Sequence, residues 1–201
     1  KNLLFLYWSL KIARRTFVLG LAGLPSVAAW HREPLETYAN RRKALAEAIG
    51  DGVIVVLGYG EYLGQSGYSS FRQESHFYYL TGHNEPDAAL VIAPERGRQR
   101  YREILFVPAN AGHASKWVGP RLGVEDSPEL GADEVLRTSK LESEIRTLLR
   151  DRKRLYGILP NGIGRDYNAA ERLLARLRDI GRRKDVRDIR ANLARQRAIK
   201  S

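Results

Sequence analysis

The apolar and polar positions of this chain alternate between a helical period and short continuous runs. Leu35, Tyr38, Leu45, Ala48 and Ile49 lie near one stripe of a helical wheel, which predicts a helix from Thr37 to Ile49. Gly50 supplies its stop, ahead of an Asp51-Gly52 turn. Val53 to Leu57 is short and β-branched, the pattern of a buried strand. After a glycine- and tyrosine-bearing loop comes the densest block, Phe71 to Ile92. Within it Phe77 to Leu80 reads as an aromatic strand or a tight helical turn that stops at Gly82. Pro86 fixes a polar turn and pushes Glu85 toward an extended backbone, which makes Glu85 and Asp87 turn residues. Ala88 to Ala93 is a continuous apolar strand of the kind buried on both faces.

A hydrophilic turn, Pro94 to Tyr101, separates that strand from Ile104–Val107. The two runs are expected to pair antiparallel, which makes the sheet mixed. Ser139-Lys140-Leu141-Glu142 has the spacing of a capping box opening a helix to about Arg150, with Leu141, Ile145, Leu148 and Leu149 inward. Leu155 to Leu159 reads as a strand closed by Pro160-Asn161-Gly162. Asp166 is placed to cap a helix carrying Ala169, Ala170, Leu173, Leu174, Leu177 and Ile180, ended by Gly181. Val186–Ile189 is a last short strand, and a further helix starts at Ala191.

Residues 1–32 have a different character. A short apolar run, Leu3 to Leu10, precedes a basic stretch containing Arg14-Arg15, a glycine-diluted apolar run and small residues ending at Ala29. That order matches an export leader, and Arg14-Arg15-Thr16-Phe17 resembles a twin-arginine signal. The rivals are a membrane anchor and a disordered leader. Against the anchor, each apolar run falls short of the roughly 20 residues that span a bilayer. The expected location is therefore outside the cytoplasm, periplasmic, with cytoplasmic as the alternative.

Composition changes this picture mainly by exclusion. There is no cysteine, so disulfides, thiolate catalysis and Cys-based zinc sites are ruled out. None of His31, His76, His83 and His113 falls in a recognised metal-ligand spacing. No P-loop or nucleophile elbow occurs, and Gly58 to Gly64 has the wrong spacing for a dinucleotide-binding turn. The net charge is +11, and Arg137 to Ser201 hold 19 Lys/Arg against 8 Asp/Glu. Such a surplus suits nucleic acid, a solvated helix face or an acidic docking partner, but no nucleic-acid-binding motif accompanies it. Read by residues alone, this is an α/β domain without a visible catalytic centre.

The block at Phe71-Arg72-Gln73, with Ser75, Phe77, Tyr79-Leu80-Thr81-Gly82 and Glu85-Pro86-Asp87, resembles the signature of the N-terminal domain of aminopeptidase P. Three more matches follow the family's order: Tyr38-Ala39-Asn40-Arg41-Arg42, then Trp117-Val118-Gly119-Pro120-Arg121-Leu122-Gly123, then Asp188-Ile189-Arg190 with Arg197 and Ile199-Lys200-Ser201. His83 departs from the aromatic residue usual after the Thr-Gly pair.

The resemblance implies an α/β fold, a mixed β-sheet flanked by helices and ribonuclease-H-like, as in the creatinase/prolidase group. It divides the chain into a leader (1–32), the N-terminal domain (33–190) and the start of a junction (191–201). It further implies an Xaa-Pro aminopeptidase, which releases an N-terminal residue before proline, with two divalent metals, usually manganese, held by Asp, Asp, His, Glu and Glu in a C-terminal "pita-bread" domain. Those ligands lie beyond the matched region, so no catalytic or metal position is expected in this chain, which alone would hydrolyse nothing. Trp117 and, more weakly, Arg121 are the candidate residues at the substrate entrance. The implied partners are the enzyme's own catalytic domain, further copies in a homo-oligomer and Xaa-Pro peptides, with no nucleic acid and no stable membrane span. The alternative is a stand-alone binding or oligomerisation module of the same superfamily without peptidase activity.

Overall fold

The computed structural model describes residues 32–60, 71–95, 100–109, 121–159 and 185–199. The chain divides between Arg32 and Glu33 into two units, and the α/β fold belongs to the second. The predicted helix 169–180 and its Asp166 cap lie outside the described residues, as do most of the leader and Trp117.

Helix α1 spans Leu35–Ile49; Pro34 precedes it in extended backbone, and Gly50, at φ 78°, donates its N–H to the Ala46 carbonyl. Its inner face is not the all-apolar stripe expected from the sequence. Tyr38, Arg42, Leu45 and Ala46 are buried, while Ala48 faces out. Arg42 can occupy the inner face because each of its nitrogens finds an oxygen there, on Glu103, Leu80 and Gly131.

Strands β1 (Val53–Leu57), β2 (Ala89–Pro94), β3 (Tyr101–Val107), β4 (Glu134–Arg137), β5 (Arg154–Gly157) and β6 (Asp185–Asp188) form one sheet in the order β4-β3-β2-β1-β5-β6. The expected antiparallel pairing of β2 with β3 is present, with Leu90 opposite Leu105 and Val91 opposite Ile104. β2 also runs antiparallel to β1, whereas β1 with β5, β5 with β6, and β3 with β4 are parallel. Setting β4 aside, the order 3-2-1-5-6 with only β2 reversed is the mixed, ribonuclease-H-like arrangement. β4 is not apparent in the sequence: only four residues long, it buries Val135 alone and shows too little alternation to be seen.

The central strands are buried on both faces, which explains their unbroken apolar runs. Ile54, Val56, Leu90, Ile92, Leu105 and Val107 pack with Leu45, Phe77, Leu80 and Leu193. Val53, Val55, Val91, Ile104 and Phe106 pack on the other side with Leu141, Ile145, Leu148 and Leu149. The first group brings α1, α2 (Ser75–Thr81) and α5 (Arg190–Ala198) to one face, and the second brings α4 (Leu141–Leu149) to the other. A short helix α3 (Ser127–Leu130) leads into β4 and contributes Leu130 to the first cluster.

One open reading is resolved and two local expectations are corrected. The aromatic segment Phe77–Leu80 is helical: Glu74 caps α2 by accepting the Phe77 N–H at 2.6 Å, and Gly82, left-handed at φ 63°, ends it. Ser139 does not cap α4, because Thr138–Lys140 form a 3₁₀ turn and the Leu141 N–H bonds back to the Thr138 carbonyl. That turn occupies backbone groups a side-chain cap would serve. The last strand is set one residue earlier than expected, so that Ile189 leaves the sheet and packs into the core. Charged β6 then forms the exposed edge, where a short charged strand resists pairing with other chains. Among the described residues no helix is long and apolar enough to cross a membrane.

Candidate functional site

Every strand except β2 points the same way, so β1, β3, β4, β5 and β6 all end at one edge of the sheet. In open α/β sheets the carboxyl ends of the strands gather the connections that carry chemistry. The block from Phe71 onward closes this edge.

Gln73, buried, is its hub. Its Oε1 accepts the N–H groups of Tyr59 (2.6 Å) and Glu74 (2.8 Å), and its Nε2 donates to the Glu85 carbonyl (2.7 Å). Its own backbone N–H donates to Asn84 Oδ1 at 3.2 Å. One amide side chain therefore joins the segment after β1, the start of α2 and the turn before β2. Gly58 must be glycine for this: a Cβ there would lie 2.9 Å from Gln73 Nε2 and 3.0 Å from the Ala88 carbonyl oxygen. Asp87, held left-handed at φ 60°, donates its N–H to the Tyr59 carbonyl and accepts Thr138 Oγ1–H at its own carbonyl. Asp is among the few residues besides glycine that adopt this conformation without a large penalty.

Glu85 is more than the turn residue expected. Its Oε1 accepts the Leu122 N–H at 3.0 Å, which ties the turn to the segment after the candidate Arg121. Burial raises its carboxyl above the ordinary value, against the pull of the Leu122 N–H and the Arg121 guanidinium, while Asp126 adds to the rise. Asp126 in turn accepts the Gly123 N–H at 2.7 Å. Arg121 is half-buried at this edge; Trp117, the other candidate, lies outside the described residues. His83 is accommodated in the core, 2% exposed, edge-on to Phe77 with ring centroids 6.4 Å apart.

A second polar cluster joins α1, α2 and α5. The Arg41 guanidinium lies 4.3 Å from the Tyr79 ring centroid and that of Arg197 lies 5.5 Å from it. Arg197 also reaches His76 Nδ1 at 3.2 Å, and Gln196 Nε2 donates to the Arg41 carbonyl at 2.7 Å. At the start of α5, Arg190 chelates Asp188 at 2.6 and 2.9 Å and also bonds the Leu159 carbonyl. Burial opposes ionisation of Asp188, but these bonds prevail and hold its carboxyl below the ordinary range. Arg41, Tyr79, Asp188, Arg190 and Arg197 all belong to the segments that carry the family resemblance, but those segments stand far apart in the chain and no spacing announces that they meet.

Among the described residues no group of three or more His, Asp or Glu side chains could hold a metal ion. The residues described do not fit a two-metal centre, and no chemical step is assigned to them.

The strand order, the Gln73 hub and the Glu85–Leu122 tie define an α/β domain whose loop-bearing edge is built by one motif block. Residues 38–156 match the family model for "Aminopeptidase P, N-terminal domain". The chain belongs to that family. It is 32% identical over 117 residues to the Xaa-Pro aminopeptidase of Escherichia coli, covering 57% of this chain and 26% of that protein. The Xaa-Pro aminopeptidase of Haemophilus influenzae is 35% identical over 89 residues, 44% of this chain and 20% of that one. The matched stretch thus spans about a quarter of these relatives or less. The solved E. coli aminopeptidase P with the inhibitor Pro-Leu superimposes with a TM-score of 0.68 at 28% identity, over 85% of this chain and 40% of that one.

Proposed function

We propose that this domain serves an Xaa-Pro aminopeptidase as its non-catalytic N-terminal part, supporting the oligomer and walling the entrance to an active site supplied by a C-terminal metal-dependent domain. The carrying observation is the family match over residues 38–156 together with relatives that are Xaa-Pro aminopeptidases. The chemistry, two divalent metals with manganese as the leading candidate, belongs in this reading to the C-terminal domain. The partners are that domain, further copies of the chain and Xaa-Pro peptides. Arg121 and Trp117 stand at the entrance. The leader pattern of residues 1–32 supports export to the periplasm.

The test is a domain exchange. This domain replaces its counterpart in the E. coli Xaa-Pro aminopeptidase, and Mn²⁺-dependent release of the N-terminal residue from an Xaa-Pro peptide is measured. The chimera is expected to retain activity that a domain-deleted enzyme lacks, while the present chain with Mn²⁺ releases nothing. A chimera no more active than the deletion, with its catalytic domain folded, would refute the supporting role. Release by the chain alone would refute the non-catalytic one.

A further inference from the structure

Helix α5 is fastened to the domain unevenly along its length. Of its residues only Leu193 is buried, and the Leu193 N–H bonds back to the Ile189 carbonyl. Further along, Ala194 and Ala198 face out, and Ile199, just past the helix end, is 77% exposed. Two polar side chains hold the last turn. Gln196 Nε2 donates to the Arg41 carbonyl on α1 at 2.7 Å. Arg197 reaches α2, its guanidinium 5.5 Å from the Tyr79 ring centroid and its Nη1 3.2 Å from His76 Nδ1.

The chemistry of that last contact fixes the state of His76. A guanidinium has donors and no acceptor, so Nδ1 must accept, which it can do only in a neutral ring protonated at Nε2. A protonated ring carries N–H at both nitrogens and turns the contact into a meeting of two cations. The charged groups facing the ring are Glu74 ahead of α2, Asp188 on β6, and Arg190 and Arg197 on α5. Glu74 and Asp188 are already engaged, with the Phe77 N–H and with Arg190. Burial, aided by Arg197 and Arg190, outweighs these two carboxylates and lowers the His76 pKa.

We propose that His76 and Arg197 form a proton-operated latch: with the ring neutral, Arg197 bridges Nδ1 and the Tyr79 ring and docks the last turn of α5 on α2, and protonation of Nδ1 expels the guanidinium and frees that turn. The latch is closed above the unfolded-state value of about 6.5 and opens as pH falls through the lower folded-state one. Leu193 does not titrate, so opening is confined to the C-terminal end of the helix. The latch lies wholly within this domain and goes beyond the proposed function. Only its consequence, a change in how the chain leaves α5 toward a C-terminal domain, rests on that reading.

NMR on the full chain tests it without reference to activity. At pH 7.5 the ¹⁵N shift of His76 Nδ1 is expected to be that of an unprotonated ring nitrogen. Amide protection at Gln196, Arg197 and Ala198, taken relative to Leu193, is expected to fall about threefold between pH 7.5 and pH 5, the scale of an exposed polar contact. H76Q, whose side-chain oxygen accepts from Arg197 but does not titrate, is expected to keep that protection at both pH values. R197Q is expected to raise the His76 titration midpoint and to abolish the pH dependence of protection. A proton on Nδ1 at pH 7.5, a fall in H76Q equal to the native one, or an unmoved midpoint in R197Q each overturns the latch. A domain-exchanged enzyme without Xaa-Pro activity counts against the functional reading alone and leaves these measurements to decide the inference.

Discussion

Truncating Arg42 to alanine is the most severe single perturbation the structure suggests. Arg42 is 2% exposed in the middle of the α1 inner face. Its Nε donates to Glu103 Oε2 on β3 at 2.7 Å, its Nη1 to the Leu80 carbonyl at the end of α2 at 3.0 Å, and its Nη2 to the Gly131 carbonyl before β4 at 2.6 Å. R42A therefore strands a carboxylate and two carbonyls at once. Removing one partner of a buried ion pair costs about 3–5 kcal/mol. Each carbonyl left without a donor adds about 1–3 kcal/mol where water does not reach it. Water entering the vacated space offsets part of this, so a loss of about 4–5 kcal/mol is expected, a large share of the roughly 5–15 kcal/mol of a typical domain. Burial raises the Glu103 carboxyl even with Arg42 beside it, and removing the cation raises it further. A folded-state pKa above the unfolded value gives stability that is present at acid pH and lost as pH climbs through the folded pKa. The penalty of R42A is thus expected to be larger at pH 7.5 than at pH 4.5, and R42M/E103L, which removes the stranded charge, to recover part of it. Urea unfolding followed by far-UV circular dichroism measures all three quantities. A loss below about 1 kcal/mol at pH 7.5 would show that Arg42 does not join these elements in the way its contacts imply.

Two further perturbations test other joints. G82A would put a Cβ 2.4 Å from Tyr38 Cζ at a φ of 63°; left-handed strain and displacement of a buried ring together are expected to cost about 2–4 kcal/mol in urea unfolding, and a loss under about 0.5 kcal/mol would contradict the geometry. Burial lowers the His76 pKa, opposed by Glu74 and Asp188 and reinforced by Arg197 and Arg190. A depressed folded-state pKa gives stability that is present above the unfolded value of about 6.5 and lost as pH falls through the folded one. Thermal melts from pH 8 to 5 should therefore fall less steeply for H76Q than for the native chain; an NMR titration midpoint for His76 at or above about 6.5 would contradict this.

Most of the frame was legible in the sequence because its signals are local. Val53–Leu57 forms the strand that its β-branching predicts, since a short run of that kind has few other uses. The β2–β3 pairing was visible in two apolar runs flanking one hydrophilic turn. Arg42 was not legible as core: its burial depends on Glu103, Leu80 and Gly131, which lie 61, 38 and 89 residues away along the chain. The capping spacing at Ser139 failed for a related reason. A capping box competes with any backbone arrangement that satisfies the same groups, and here the 3₁₀ turn at Thr138–Lys140 prevails. Only the resemblance gave Arg121 its expected entrance role, and nothing in the spacing of Glu85 to Leu122 announced their bond.

The same long-range dependence explains the composition of the block from Phe71 to Ile92. Gln73 satisfies backbone groups from three separate segments, so its amide geometry admits no isosteric replacement other than glutamate, which lacks the Nε2 donor to the Glu85 carbonyl. Gly82 admits no Cβ beside Tyr38, and Asp87 must be left-handed for its N–H to reach the Tyr59 carbonyl. Each of these requirements is a constraint on backbone position at the loop-bearing edge. Glu85 differs, because the bond it makes could be made without charge. Its Oε1 nevertheless serves the same end, since it holds the Leu122 N–H and so ties the turn before β2 to the segment that follows Arg121.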